Sequence, residues 1–289
     1  MESRYERQVR FFGKEGQHHL QNTKVSVVGV GGLGCHVVQQ LILLGVGHLN
    51  LIDSEELADT DRNRNVCARR DDPVPGTKKV EIAGRLAKSI NPNIEIALIH
   101  DTFISAEAFA SIKSSTHVFG CLDSEGARLI LNELCSAYEL KYIDLASDII
   151  QGQTIEYGGR VCINWAGDGC LFCLKLLDLG EAQEDLSTEG ERLDRQALYG
   201  LEPELLNRSG PSVVSINGVI ASLGVTEFML GVSGIRDPKR LIYYKGGRGV
   251  TISNDLPQSH CYYCKGIRGT GRKADVERYL KSGVGEHLR

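Results

Sequence analysis

The chain has 289 residues, of which 42% are hydrophobic and 24% are charged, enough apolar content for one large core or two small ones. Its 33 basic and 37 acidic residues give a formal net charge of −4 at pH 7. The basic residues are spread along the chain, which argues against nucleic acid or an anionic membrane surface as a partner.

The amino-terminal stretch MESRYERQVRFFGKEG is charged and has no apolar centre. We therefore expect neither a signal peptide nor a transit peptide, and we predict a cytoplasmic protein. Residues 213–232 are apolar over a length that could cross a membrane, but they include Asn217, Glu227 and several glycines. We interpret this stretch as a buried helix and predict no membrane segment.

Strand-like apolar runs alternate with helical patterns through the first half of the chain. In order, these are the strand KVSVVGV and a helix from Leu33, the strand HLNLID and a helix near Lys79, the strand NIEIALIH, the strand THVFGCL and a helix to Tyr138, and the strand KYIDLA. This alternation predicts an α/β fold with a doubly wound, Rossmann-like, mostly parallel sheet.

The pattern changes after Asp148. The segment IIQGQTIEYGGRVCINW predicts two antiparallel strands around a turn at Tyr157, Gly158 and Gly159, which would extend the sheet. Residues 178–210 are polar, acidic and weakly periodic, so we predict a long crossover loop at the surface.

Beyond the crossover, the sequence predicts a helix from Ser212 to Leu230 and then the strand KRLIYYK. The tail is predicted to hold a short helix and a loose end.

Four glycines stand between the first strand and the following helix, the context that a nucleotide-binding loop requires: Gly29, Gly31, Gly32 and Gly34. Glycine at these positions allows a tight turn, close approach of phosphate to backbone N–H groups, and packing of the helix on the sheet. Asp53 ends the second strand, where a carboxylate can bind ribose hydroxyls. The pattern predicts a nucleotide site but leaves NAD and ATP both open.

Charged residues near this loop favour ATP. Arg64 lies in DTDRNRN, Lys79 opens a helix in GTKKVE, and Asp123 follows the fourth strand in CLDSEGAR. Two cations and a carboxylate that can hold Mg²⁺ suit a triphosphate attacked by an anion. The lysine motif GxxxxGK[ST] is absent from the sequence, which argues against an ordinary P-loop enzyme.

From RYERQ at residues 4–8 to CYYC at residues 261–264, the chain resembles the ThiF/MoeB/E1 superfamily of ATP-dependent adenylating enzymes, which activate the C-terminal carboxylate of ubiquitin-like proteins. The resemblance rests on an ordered set of motifs: RYxRQ, GxGGxG, a ribose Asp, an NxR cluster, a Lys-initiated helix ending in SINP, DxxxxR, and two CxxC pairs. It implies one adenylation domain over residues 1–265, with a nucleotide-binding half over about 1–148, a crossover loop at 174–210 and a C-terminal tail at 266–289.

The resemblance also implies residue roles. The glycine loop and Asp53 would bind ATP, together with Asn63 and with Arg64 and Lys79 on the phosphates, while Asp123 would bind Mg²⁺. Arg7 matches the second Arg of RYxRQ, which in such enzymes reaches the active site of the other protomer, so the resemblance implies a homodimer with composite sites.

One position departs from the family pattern. The family usually has Asn-Leu-Asn/Gln-Arg where this chain has Asp61, Arg62, Asn63 and Arg64. An acid beside phosphates is unfavourable unless Mg²⁺ or Arg62 offsets it, so the sequence leaves the role of Asp61 open.

Two CxxC pairs, Cys170 with Cys173 and Cys261 with Cys264, predict a four-thiolate Zn²⁺ site. A closed four-sulfur site is structural, so losing it should impair folding rather than chemistry. The other five cysteines lie in or beside apolar patterns and are predicted to be small buried hydrophobes: Cys35, Cys67, Cys121, Cys135 and Cys162.

Related enzymes that go on to ligation or sulfur transfer often have a nucleophilic Cys in the crossover loop, and this chain has none from Leu174 to Gly210. We hypothesise that Ser209 carries an oxyester, with Ser212 as the alternate. Helix capping by either serine explains its position equally well. Direct transfer to an E2-like or sulfur-transfer partner is the other route.

The leading hypothesis is therefore an E1-like adenylating enzyme that acts on a small ubiquitin-like, β-grasp protein. Three alternatives remain: activation of a small or tRNA-linked carboxylate, an NAD-dependent oxidoreductase, and a scaffold without activity. The presence of Arg64, Lys79 and Asp123 argues against the scaffold.

Overall fold

The computed structural model describes residues 3–187, 210–282 and 284. Eight strands are present in this part of the chain: β1 (Lys24–Val28), β2 (His48–Ile52), β3 (Glu95–Ile99), β4 (His117–Gly120), β5 (Lys141–Gln151), β6 (Ile155–Asn164), β7 (Leu241–Lys245) and β8 (Gly249–Ile252). They form one sheet in the order β3-β2-β1-β4-β5-β6-β7-β8.

The first five strands are parallel, as the alternating pattern predicts. In β1, Val28 is paired with Ile52 of β2 and with Gly120 of β4. The loops that follow these three strands therefore emerge side by side at the carboxyl edge of the sheet, where ligands bind in doubly wound folds. The predicted α/β class, with an antiparallel extension, is confirmed.

Seven α-helices lie within the described residues: α1 (Glu6–Gln21), α2 (Gly34–Leu44), α3 (Lys79–Ile90), α4 (Ala106–Lys113), α5 (Glu125–Ala137), α6 (Leu179–Asp185) and α7 (Val214–Val232). Serine caps set the starts of α4 and α5, because the hydroxyls of Ser105 and Ser124 accept the N–H groups of Ala108 and Ala127.

The sheet separates two apolar cores. One contains residues of α2, α3 and α7, such as Val37, Ile82 and Phe228. The other contains residues of α4 and α5, such as Phe109 and Leu131. Helices thus cover both faces, which is the layered arrangement that a doubly wound sheet needs to bury its strands.

The predicted hairpin turn is in the wrong place. β5 and β6 are joined at residues 152–154, and Tyr157, Gly158 and Gly159 lie inside β6. The two glycines allow close strand packing instead of a turn, since a Cβ on Gly158 would lie 2.0 Å from the carbonyl oxygen of Tyr244 and one on Gly159 would lie 2.2 Å from that of Ala146.

The crossover segment begins with structure that the polar pattern did not predict. Asp178 caps α6 by accepting the N–H groups of Gly180 and Glu181, so the first part of the predicted loop is helical. Residues 188–209 lie outside the described part of the chain.

The apolar stretch at 213–232 forms α7 and begins two residues later than predicted. By length and composition α7 could cross a membrane, but in this fold it packs on β5, β6 and α2, and 39% of its most apolar window is buried. The helix is therefore a core element on one side only, and its other side is exposed.

The tail is packed against the domain over its described residues. It forms two short 3-10 helices, Gly271–Ala274 and Val276–Leu280, rather than the single short helix predicted. Arg278 and Tyr279 both donate hydrogen bonds of 2.9 Å to the buried carboxylate of Glu133 on α5.

Candidate functional site

The loop between β1 and α2 has a backbone geometry that requires glycine. Gly29 has a φ of 86°, and a Cβ there would lie 2.5 Å from the carbonyl oxygen of Cys121. A Cβ on Gly34 would lie 1.9 Å from the carbonyl oxygen of Gly29. The first glycine turns the chain and the last lets α2 begin directly against the loop.

The middle of the loop faces open space. A Cβ built on Gly31 meets no atom within 4 Å, whereas one on Gly32 would lie 3.0 Å from Cδ of Arg64. No side chain caps α2 at Leu33. The N–H groups of Cys35 and His36 donate to the carbonyls of Gly31 and Leu33, which leaves the N–H groups just before them, from Gly32 to Gly34, for a ligand. Exposed N–H groups, an open approach and a neighbouring guanidinium fit the phosphate chain of a nucleotide.

Asp53 lies at the end of β2, beside this loop. Its carboxylate accepts the N–H of Val30 at 2.6 Å and the N–H of Glu55 at 2.8 Å. Burial raises the pKa of Asp53, although these two N–H groups and the Lys79 charge act in the opposite direction. The carboxylate is fixed against the loop and keeps further lone pairs for hydroxyl donors.

The two predicted phosphate-binding cations are brought together by Asp61. Its Oδ1 lies 2.7 Å from Nη2 of Arg64, and its Oδ2 lies 3.4 Å from Nζ of Lys79. Glu55 forms a second ion pair with Lys79. Arg64 and Lys79 are 15 positions apart in the sequence, and a carboxylate that departs from the family pattern joins them.

Lys79 is the first residue of α3, and its side chain is only 7% exposed. Burial disfavours its charge, but the hydrogen bond to Glu55 and the charges of Glu55, Asp53 and Asp61 outweigh burial and raise the pKa of Lys79. The ammonium is therefore charged at neutral pH.

Two of the predicted site residues are exposed. Asn63 follows Asp61 on the surface of the loop. Arg7 is in the first turn of α1, which packs at the far end of α2, where Gln8 donates to the carbonyl of Leu44 at 2.8 Å. Because the 11 residues of α2 span about 16 Å, Arg7 does not lie at the glycine loop of its own chain.

Asp123 is exposed in the loop after β4, and its carboxylate has no hydrogen bond or ion pair to any residue that the structure describes. Ser124, not Asp123, caps α5. Beneath this loop, Arg128 donates to the carbonyl of Leu122 and pairs with the buried Asp144. An unengaged carboxylate at the carboxyl edge of the sheet fits a Mg²⁺ ligand, for which oxygen is the preferred atom.

Asn217 is a further residue of the site, and its sequence context predicted only a polar position in a buried helix. It is buried in α7, and a Cβ on Gly32 would lie 2.9 Å from its Nδ2. Its Oδ1 accepts from Ser147 at 2.8 Å and its Nδ2 donates to Ser212 at 3.0 Å. The sequence signal that could have identified Asn217 is an amide side chain within an otherwise apolar helix.

The hypothesis of an oxyester names two serines, Ser209 and Ser212. Ser209 lies outside the described residues. Ser212 does not cap α7, because Val213 occupies the N-cap position without a side-chain bond. The hydroxyl of Ser212 accepts a hydrogen bond from Asn217.

The two CxxC pairs meet in one cluster. All four Sγ atoms lie within 4.8 Å of one another, with 3.6 Å between Cys170 and Cys261 and 3.7 Å between Cys173 and Cys264. Tetrahedral Zn²⁺ with Zn–S bonds of about 2.3 Å requires S–S distances of about 3.8 Å. The N–H of Cys170 also donates to Sγ of Cys173 at 3.2 Å. The cluster therefore fits Zn²⁺.

The other five cysteines are free thiols in apolar surroundings. Cys35, Cys67, Cys135 and Cys162 are buried, and Cys121 is half-buried. Burial raises the pKa of Cys121, Cys135 and Cys162, which makes these thiols poor nucleophiles. Their burial matches the predicted packing role, with Cys121 the least buried of the five.

Comparison with curated proteins gives two informative relatives. The chain is 30% identical over 271 residues to the adenylyltransferase and sulfurtransferase MOCS3 of Drosophila persimilis, covering 89% of this chain and 53% of that protein. It is 33% identical over 178 residues to the molybdopterin-synthase adenylyltransferase of Escherichia coli K12, covering 60% of this chain and 68% of that protein. The chain thus spans about half the length of MOCS3.

Among solved structures, E. coli MccB with ATP superposes with a TM-score of 0.68 at 20% identity, covering 91% of this chain and 75% of that one. This likeness shows a shared fold. The ThiF family model matches residues 5–264, which include the glycine loop, the Asp61 cluster and the four clustered cysteines. The chain therefore belongs to the ThiF family.

Proposed function

We propose that this protein uses Mg²⁺ and ATP to adenylate the C-terminal carboxylate of a small ubiquitin-like, β-grasp protein in the cytoplasm. The observation that carries the proposal is the convergence of Arg64 and Lys79 beside the open face of the glycine loop. Two relatives named as adenylyltransferases support it.

In the proposed step, a carboxylate oxygen of the substrate attacks the α-phosphorus of ATP. The bond from this phosphorus to the bridging oxygen breaks, and pyrophosphate leaves with the electron pair. The products are an acyl-adenylate and pyrophosphate. Because both reactants are anions, the site must supply positive charge at the phosphates.

Several groups of the chain can supply this positive charge. The N–H groups at the start of α2 and the guanidinium of Arg64 would bind the phosphates, and the Lys79 ammonium would offset the charge that develops on pyrophosphate. Asp53 would bind the ribose hydroxyls, and Asn63, which is exposed on the loop just before Arg64, would also contact the nucleotide. Mg²⁺ held by Asp123 would supply further positive charge to the triphosphate.

A homodimer would complete the site. Arg7 is exposed at the far end of α2 from the glycine loop, so it can reach a glycine loop only in a second copy. A two-fold pairing that sets two α2 helices antiparallel would bring Arg7 of one protomer to the loop of its partner. The exposed side of α7, which packs beside α2, is available for that contact.

The four clustered cysteines would hold a structural Zn²⁺. They join the segment after β6 to the segment after β8. Four thiolates leave no open coordination position, so the metal would stabilise the fold and take no part in adenylation.

The acceptor of the acyl group is a separate question. We retain the hydroxyl of Ser209 as the proposed acceptor, with an E2-like or sulfur-transfer partner as the other route. A Ser209→Ala variant should keep pyrophosphate exchange but lose an alkali-sensitive covalent adduct. An adduct that persists in this variant and disappears in Ser212→Ala would assign the ester to Ser212.

The function is tested by isotope exchange between labelled pyrophosphate and ATP. We expect exchange that depends on Mg²⁺ and on a β-grasp protein ending in glycine, and we expect NAD not to bind in a parallel titration. Absence of exchange with every such carrier, from zinc-loaded protein, would contradict the proposal. Exchange with a free small carboxylate alone would assign the substrate to that class instead.

A further inference from the structure

Asp61 is a buried carboxylate between the two cations of the proposed ATP site. Its side chain is 7% exposed, and its Oδ2 also accepts the N–H of Ala58 at 3.0 Å. The residue closes a 3-10 helix, Asp59–Asp61, so its backbone is fixed three positions before Arg64. One carboxylate thus contacts Arg64, Lys79 and the loop backbone.

The ion pairs of the cluster balance in charge without a nucleotide, and the carboxylate of Asp53 lies close enough to add a further negative charge that acts on Lys79. Arg64 and Lys79 contribute two positive charges, and Asp61 and Glu55 contribute two negative charges. A phosphate chain that approaches these cations competes with the carboxylates already paired to them, and it is repelled by Asp61 at short range.

We propose that Asp61 is an internal counter-ion that pairs with both Arg64 and Lys79 before nucleotide binds and thereby limits the affinity of the site in proportion to the phosphate charge of the ligand. This inference rests on the proposed function, in which both cations contact the phosphates. It explains the departure from the family pattern: the Asp supplies an internal counter-ion for the two cations.

The substitution Asp61→Asn separates charge from shape. An asparagine has the same size, and its carbonyl oxygen can still accept the N–H of Ala58. Asparagine is also the residue that the family usually has at this position. The variant therefore removes the competing charge while keeping the hydrogen bond that fixes the loop.

The matched control is Asp59→Asn in the same short helix. The carboxylate of Asp59 is 86% exposed and pairs with Arg62 at 2.9 Å, and it contacts neither Arg64 nor Lys79. The control changes the net charge of the chain by the same amount at a neighbouring position.

The experiment measures dissociation constants for adenosine, AMP, ADP and ATP by calorimetry at fixed Mg²⁺ and salt, with the unaltered chain and both variants. For Asp61→Asn we expect ATP to bind about tenfold more tightly. ADP and AMP should gain progressively less affinity, and the affinity for adenosine should be unchanged. For Asp59→Asn we expect no change with any ligand. In the exchange assay, the KM for ATP of Asp61→Asn should fall.

A gain that does not grow with the number of phosphates, or weaker ATP binding by Asp61→Asn, would overturn the inference. If that variant does not fold, Glu55→Gln provides the same test, because it removes the other partner of Lys79 at an exposed position. A smaller, phosphate-graded gain is then expected, and its absence refutes the inference. Failure of the unaltered chain to bind ATP would instead refute the proposed function and, with it, this inference.

Discussion

Arg128 and Asp144 form a buried ion pair, with 2.8 Å between Nη1 and Oδ2. The same guanidinium donates to the carbonyl of Leu122, the residue before Asp123. Tyr142 donates a second hydrogen bond to Asp144 at 3.0 Å. The pair therefore ties the loop of the proposed Mg²⁺ ligand to the middle of β5.

Replacing Arg128 with methionine should destabilise the protein by about 3–5 kcal/mol, because Asp144 would keep a buried charge with its main partner removed. The free energy of unfolding in urea measures the loss. Arg10→Met is the control, since Arg10 pairs with Glu6 where both side chains are largely exposed and such pairs contribute at most about 1 kcal/mol. Equal losses in the two variants would argue against a structural role for the buried pair.

Lys79→Met should lower pyrophosphate exchange by about 100-fold or more, because the variant removes a charged donor at the developing negative charge. Lys78→Met removes the neighbouring ammonium, which is 40% exposed and lies 3.9 Å from Glu81, and should retain exchange. The two variants are compared by their pyrophosphate exchange rates at saturating ATP, and circular dichroism checks that both are folded. Similar rates in the two variants would exclude Lys79 from the reaction.

The cysteine cluster should bind one zinc ion per chain, measured by mass spectrometry of the metal after dialysis. Cys264→Ala should lose the zinc and unfold at a lower temperature, because metal binding contributes free energy to folding. Cys135→Ala is the control: this thiol is buried in α5 outside the cluster, so zinc content should stay unchanged. Full zinc content in Cys264→Ala would contradict a four-thiolate site.

Arg7→Ala and Lys79→Met should each strongly lower pyrophosphate exchange alone, but the two variants should recover part of this activity when they are mixed and their subunits re-pair. Random pairing gives half heterodimers, each with one intact site, so recovery should approach about a quarter of the unaltered activity. A mixture with no activity, from subunits shown to exchange, would indicate that Arg7 acts within its own chain, whereas full activity of Arg7→Ala alone would indicate that Arg7 takes no part.

His117 should make stability depend on pH. Burial between Trp165 and Phe228, and then the charge of Lys141, lower the pKa of His117 to about 3 from 6.5. The unfolded chain binds a proton below about pH 6.5 that the folded chain does not, so this contribution to stability is lost as pH falls from about 6.5 towards 3, by at most about 1.4 kcal/mol per pH unit.

The substitution His117→Phe keeps an aromatic ring and removes the titrating group. Urea unfolding at about pH 7.5 and about pH 5 should show a smaller pH dependence for this variant than for the unaltered chain. His260→Gln, at an exposed position, should leave the pH dependence as it is. If the free energy of unfolding of His117→Phe depends on pH as strongly as that of the unaltered chain, other groups cause the acid sensitivity.

Local sequence patterns were sufficient for the parallel strands β1–β5, the glycine loop and the position of Asp53. Each of these depends on a short run of residues whose backbone requirement is visible in the sequence. The two CxxC pairs were recognisable because zinc ligation restricts both residue type and spacing, although the pairs lie on separate segments.

Other features depend on contacts distant in sequence. The pairing of Asp61 with Lys79 needs the loop after β2 to fold back on the start of α3, which no local pattern encodes. Helix α1 was missed because only two of its four buried residues, Phe12 and Leu20, are large and apolar, so few apolar positions mark the helix in the sequence. Edge strand β8 was missed because all of its residues are exposed.

Strand β5, with 11 residues, belongs both to the parallel part of the sheet and to its antiparallel extension. Its first residues pair with β4 in the parallel sheet, and residues 142–151 pair with β6. The strand runs through position 148, near which the nucleotide-binding half was expected to end. Cutting the chain there would leave unpaired backbone on both fragments, so we expect one cooperative unfolding transition and no autonomous folding of either piece.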